Sequence, residues 1–140
     1  MVPGAVVDDA PVMVNGRPEW LLHFLGNTFT LLHFVDDQPD PDCPDLATMQ
    51  QLSLDAGSSK GPVAVRPLVI ASKEMAVRDI PTLFDHEGLA FDRLDAIGGT
   101  TYLVRPDQHV VARWRSFNSD KVRAALNKAL SLPVSGLQAP

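Results

Sequence analysis

The sequence predicts an α/β fold: a mixed, mostly parallel central sheet with helices on both faces, finished by a C-terminal β-hairpin plus helix. Three observations predict it. Phe29 to Val35 is almost entirely apolar and follows a Gly26-Asn27 stop, the pattern of a strand buried on both faces. Apolar runs alternate with helical patterns along the chain, and strand–helix–strand units imply parallel pairs with right-handed crossovers. Thr101 to Arg115 then reads as two strands about a tight turn, with one more helix after it.

Residues 1–11 read as an extended arm, because Pro3, Gly4 and Pro11 resist helix. Val12 to Val14 suits a short strand closed by a turn at Asn15-Gly16. Pro18 fits the first turn of a helix with Trp20, Leu21, Phe24 and Leu25 on its apolar face, ended by Gly26. After the Phe29–Val35 strand comes an acidic, proline-rich loop, Asp36 to Asp45. Pro44 and Asp45 then open a helix with Leu46, Met49 and Leu52 inward. Ala56 to Pro62 is a Gly/Ser connector.

Val63 to Ala71 reads as a second inner strand. Pro67 lacks a donor, so it belongs near the start of the paired part or on an edge. Lys73 to Asp79 suits a loop or short helix, and Asp85 to Asp95 a modest helix broken by Gly98-Gly99. In the hairpin, Pro106 presets φ for the first central position of a type I turn and Asp107 suits the second. Asn118 or Ser119 caps the last helix, whose apolar face is Val122, Ala125, Leu126, Ala129 and Leu130. Residues 132–140 read as a flexible tail.

The 140 residues suit one domain, and 45% hydrophobic content is enough for a core. No apolar run approaches the roughly 20 residues of a membrane span, and Met1 to Ala10 lacks the features of a signal peptide. A net charge of −5 argues against nucleic acid as a main partner. Cys43 is the one cysteine, so neither an internal disulfide nor a cysteine zinc cluster is available, and a cytoplasmic location is expected.

Several residues invite chemistry and have a plainer reading beside it. His33, inside the first buried strand, is either a buried acid/base or a core-edge histidine bonded to backbone; no carboxylate pattern favours the first. The carboxylates of Asp36 to Asp45 suggest Ca²⁺, but the Gly and closing Glu of a calcium loop are missing, so a solvated loop is expected and no metal site. Asp107 beside His109 suggests a catalytic pair, yet in a tight turn Asp107 bonds its own backbone. Arg113, Trp114 and Arg115 form a candidate contact patch, with Trp114 as plain core the alternative. No Gly-x-Ser-x-Gly elbow and no Gly-rich dinucleotide turn occurs, so no catalytic set and no cofactor site is expected on this chain.

The run Tyr102 to Trp114, with Arg105-Pro106-Asp107-Gln108-His109 at its centre, resembles the signature near the C-terminus of FAD-dependent aromatic hydroxylases. These are flavoprotein monooxygenases of the phenol hydroxylase and 3-(3-hydroxyphenyl)propionate hydroxylase type. Pro3-Gly4-Ala5, Asp9 to Val12, Trp20-Leu21-Leu22, Leu25-Gly26 and Phe29 to Leu32 match in the same order, so the similarity runs from about Pro3 to Leu130. The resemblance implies a thioredoxin-like domain that follows the FAD and substrate domains of a parent enzyme using FAD, NAD(P)H and O₂. It implies a role in packing and subunit contacts, with a flavoprotein catalytic domain as partner in cis or in trans, or a second copy in a homodimer.

A thioredoxin-like fold also raises a redox reading. Working members place Cys-x-x-Cys after the first buried strand, where the helix N-terminus lowers the thiol pKa. Here Cys43 has no partner cysteine, and Gly99, Thr100 and Thr101 stand where a cis-proline precedes the third strand. Asp40, Asp42 and Asp45 surround Cys43 with negative charge, which disfavours a thiolate. Cys43 therefore reads as an inert thiol. A single-cysteine peroxidase or thiol reductase built on it, and a free-standing binding module for a flavoprotein, are the alternatives.

Overall fold

The computed structural model describes residues 2–37, 65–77 and 80–138. Cys43, most of the acidic loop, the helix expected after Pro44 and the Gly/Ser connector lie outside the described residues.

Strand β1, Pro11–Val14, pairs antiparallel with β2, Arg17–Trp20. This corrects the helix expected from Pro18. Asn15 and Gly16 both take positive φ, 51° and 79°, which is the two-residue turn whose twist matches that of paired strands. The chain is therefore reversed straight into an antiparallel partner. Val14 and Arg17 flank the turn as a bonded pair, so Pro18, one residue on, directs its missing donor away from β1, onto the free edge. What remains of the expected helix is a single 3₁₀ turn, Leu21–Phe24.

β3, Phe29–Val35, is buried at every residue, as its apolar run predicts. It pairs parallel with β4, Val65–Ala71, in the register Phe29↔Val65 to Val35↔Ala71. β5, Thr82–Phe84, pairs parallel with β4 from Val69 onward. Pro67 faces the β5 side two residues before that ladder begins, where no donor is required. A short helix α1, Leu89–Arg93, follows. It is briefer than the Asp85–Asp95 span expected, because Gly88 and Asp95 adopt positive φ at 72° and 49° and end the helical backbone on either side. β6, Thr101–Val104, runs antiparallel to β3, and β7, Val110–Trp114, antiparallel to β6. Helix α2 is Ser119–Gln138, so its backbone continues past Leu132, where the sequence suggested a tail. Asn118 caps it: its side-chain oxygen accepts the Lys121 N–H at 3.1 Å.

The strand order is β2-β1-β5-β4-β3-β6-β7. The sheet is mixed, as expected, but its balance is the reverse of mostly parallel. Among the described residues only β5-β4-β3 are parallel, and the hairpins on either flank add antiparallel pairs. Period-2 alternation sends β3 side chains to both faces. Leu32 and Phe34 join Leu68, Ile70, Tyr102 and Val104 beneath α1, while Phe29 and Leu31 join Leu103, Val122 and Leu126 beneath α2. A third group, Val35, Val69, Val77 and Ile80, extends the second face. Helices thus cover both faces, and β3 is the shared wall of two cores.

Candidate functional site

The Arg105–His109 turn joins β6 to β7. The Gln108 N–H bonds the Arg105 carbonyl at 2.9 Å, so Pro106 and Asp107 are the central residues, as the sequence predicts. Gln108 then takes the left-handed conformation, φ 67°, and the strand pairing shifts register just beyond it. The Asp107 carboxylate accepts two bonds from the Arg105 guanidinium, at 3.0 and 2.7 Å, and a weaker one from the His109 N–H at 3.3 Å. The Arg105 bond is the main reason that the Asp107 carboxyl is held down to about 2. His109 Nδ1 lies 3.1 Å from the Asp107 carbonyl and 3.2 Å from its carboxylate. The Asp107–His109 pair is therefore part of a local turn network, its carboxylate held by the Arg105 guanidinium and, more weakly, by the His109 N–H.

Gln108 reaches further. Its side-chain NH₂ donates to two carbonyls at the end of the 3₁₀ turn, Leu25 at 3.1 Å and Leu22 at 3.0 Å, the latter also accepting the Leu25 N–H at 3.3 Å. The Arg66 guanidinium takes a third, the Phe24 carbonyl, at 2.7 Å. On the donor side of the same turn, the Asp9 carboxylate accepts the Leu22 N–H and the Ala10 carbonyl accepts the Leu21 N–H. Backbone bonds tie residues 4–7 to the hairpin: Gly4 N–H to Val110, Val110 N–H to Ala5, and Val7 N–H to Gln108. The expected extended arm is thus a strap. It leaves the β7 edge, buries Val7 and Ala10 in the core beneath α1, and enters β1 at the other end of the sheet.

The candidate contact patch is divided. Arg113 lies 5.1 Å over the Tyr102 ring and donates to the Asp95 carbonyl at 2.9 Å, on the α1 face. Trp114 packs against the α2 core from the other face, and Arg115 is exposed. Tyr102 is wholly buried and donates its hydroxyl to the Leu94 carbonyl; burial pushes that phenol above its ordinary pKa. His33 is fully buried, with Nδ1 2.9 Å from the Thr101 hydroxyl, which itself donates to the Gly99 carbonyl. Among the described residues no group of three or more His, Cys, Asp or Glu is placed to hold a metal ion, and no helix is long and apolar enough to cross a membrane.

Sequence reasoning misplaced Trp20. Its predicted place on a helical face becomes a half-exposed position on the edge strand, 49% accessible, beside a shallow groove lined by Pro11, Pro18, Leu89 and Arg93. The Gln108 contacts were also not legible in advance. A left-handed residue after Pro-Asp is a recurring hairpin pattern, but its side-chain partners lie 83 and 86 residues away in sequence.

No family model and no curated protein matches the chain. Solved structures do. The flavin-dependent monooxygenase PieE, in complex with FAD and substrate, matches with a TM-score of 0.61 and 22% identity over 91% of this chain. Aklavinone-11 hydroxylase, in a ternary complex with FAD and aklavinone, matches with a TM-score of 0.64 and 20% identity over 89% of it. The chain spans a fifth of the length of each of these two enzymes. Peroxidoxin BcpB from Mycobacterium tuberculosis matches with a TM-score of 0.65 and 20% identity, over 91% of this chain and 97% of that one. At such identities the likeness is one of fold, and the fold is thioredoxin-like.

Proposed function

We propose that this chain is a non-catalytic thioredoxin-like domain of, or companion to, an FAD- and NAD(P)H-dependent aromatic-ring monooxygenase, serving packing and subunit contacts. The observation that carries the reading is the Arg105–His109 turn. The run that resembles the hydroxylase signature directs its polar side chains into intramolecular bonds that hold the fold together. The flavin monooxygenases among the structural neighbours support the same reading. FAD and the nicotinamide would be held by the parent's other domains, since this sequence has no Gly-rich dinucleotide turn. The contacts would run through the β7 edge, where Arg115 is exposed and Arg113 and Trp114 are partly so. The compartment would be cytoplasmic, without membrane or nucleic-acid partners, and a homodimer is one form those contacts would take.

The test is the mass of the native polypeptide, by immunoblot of the source cell with an antibody to this domain. A band several times larger than 15.2 kDa is expected. A band at 15.2 kDa that purifies colourless, without a flavoprotein partner, would sink the proposal.

A second reading, a thiol peroxidase or reductase using Cys43, is favoured by one observation: the peroxidoxin match covers nearly all of both chains. Peroxide and disulfide turnover of the chain and its Cys43→Ser variant decides it. Turnover lost in the variant supports the enzyme, and turnover kept or absent in both removes it.

A further inference from the structure

We infer that the Arg105–His109 turn is a latch on the incoming chain, with Gln108 as its bolt. It fixes the strap of residues 4–10, so that whatever precedes Pro3 leaves the domain beside β7 in one direction. That the preceding segment is the link to an FAD-bearing part rests on the proposed function; the latch itself does not.

Three observations meet at Gln108. The first is conformational. Gln108 closes the turn with a φ of 67°, a conformation that glycine adopts without strain and that is uncommon for a glutamine. The second is chemical. One NH₂ group bridges the Leu22 and Leu25 carbonyls; Leu22 also accepts the Leu25 N–H, so an acceptor or an apolar group in place of the amide would leave the Leu25 carbonyl unmet and break the bridge. The third is topological. The Gln108 carbonyl accepts the Val7 N–H, and Val110, two residues on, exchanges bonds with Gly4 and Ala5. The same residue therefore holds the strap by its backbone and the 3₁₀ turn by its side chain. Asp9 joins those two segments to each other through the Leu22 N–H. Gly26 lies against the Pro106 carbonyl and the Gln108 amide with a φ of 124°, a backbone conformation that favours glycine. Arg105 and Asp107 brace the turn across its outer side.

The test is hydrogen exchange, read by NMR, on the 140-residue chain and two variants. Gln108→Glu keeps length and shape but turns the donor into an acceptor. Gln108→Gly relaxes the backbone and removes the side chain. In both, the amides of Gly4, Val7, Leu21 and Leu22 are expected to exchange at least tenfold faster, while Leu32 and Phe34 in β3 stay within about twofold. Unchanged rates at Val7 and Leu22 in Gln108→Glu overturn the latch. So does an equal acceleration in β3, which would make Gln108 an ordinary contributor to global stability. Neither result bears on the native mass, and a native band at 15.2 kDa would remove the flavoprotein link while leaving the exchange pattern intact.

Discussion

Asp107 shows how a carboxylate beside a histidine can be read wrongly as chemistry. Its two oxygens are engaged by Arg105 and its backbone by His109, and the pair is half exposed. The sign of its pH dependence follows from the direction of the shift. A carboxyl held at about 2, below its ordinary value of 3.8, favours the folded state fully above that ordinary value. The contribution is lost as pH falls through about 2. Solvent screening limits such a pair to about 0.5 kcal/mol. The chain should therefore be more stable than Asp107→Asn by about that much at pH 6, with the gap closing between pH 4 and 2. Urea midpoints measured across that range would show it, and a gap that persisted at pH 2 would assign the effect to something other than ionisation. Asp85 is the opposite case, a carboxylate only 3% exposed. It accepts the Ala90 and Phe91 N–H groups at 3.0 and 2.9 Å and so caps α1. Asp85→Ala leaves both donors without that acceptor and should cost about 2 kcal/mol, seen as a lower Tm. Asp85→Asn, which keeps one acceptor oxygen, should recover part of it.

Elements with a strong local pattern were legible: the almost entirely apolar β3, the Pro-Asp turn between β6 and β7, and the Asn118-capped α2. The failures have physical reasons. β5 is three residues long, too short to show alternation, and is made a strand by pairing with β4 and β1. The first hairpin was hidden because Pro18 suits both a helix start and an edge strand, and the Asn15-Gly16 turn decides between them. Register was invisible throughout, since it depends on which strands meet. So was the strap, whose partners lie about a hundred residues away in the hairpin. If the turn rather than strand propensity fixes β1-β2, Gly16→Ala should be costly although the added methyl meets nothing within 4 Å. The cost is then purely that of an alanine at φ 79°, about 1 kcal/mol. A urea titration would measure it, and a neutral result would mean that the turn tolerates a negative φ and that β2 is fixed by its ladder instead.

At the scale of the molecule, β3 is the wall between two cores, so the sheet cannot lose one face and keep the other. Leu31 and Leu32 are adjacent and fully buried, but they face opposite sides, the first toward α2 and the second toward α1. Each truncation to alanine should cost about 3 kcal/mol, a large share of the 5–15 kcal/mol typical of a domain. The consequence that matters is cooperativity. The two tryptophans stand on the outermost strands at opposite ends of the sheet, Trp20 on β2 and Trp114 on β7. Trp114→Phe leaves a reporter at one edge, and Trp20→Phe leaves one at the other. With a single shared wall, the two fluorescence transitions should coincide in urea. Leu31→Ala and Leu32→Ala should each move both transitions together. Transitions that separated, with Leu31→Ala shifting only the Trp114 signal, would mean that the α2 face unfolds on its own and that the sheet carries two cooperative units.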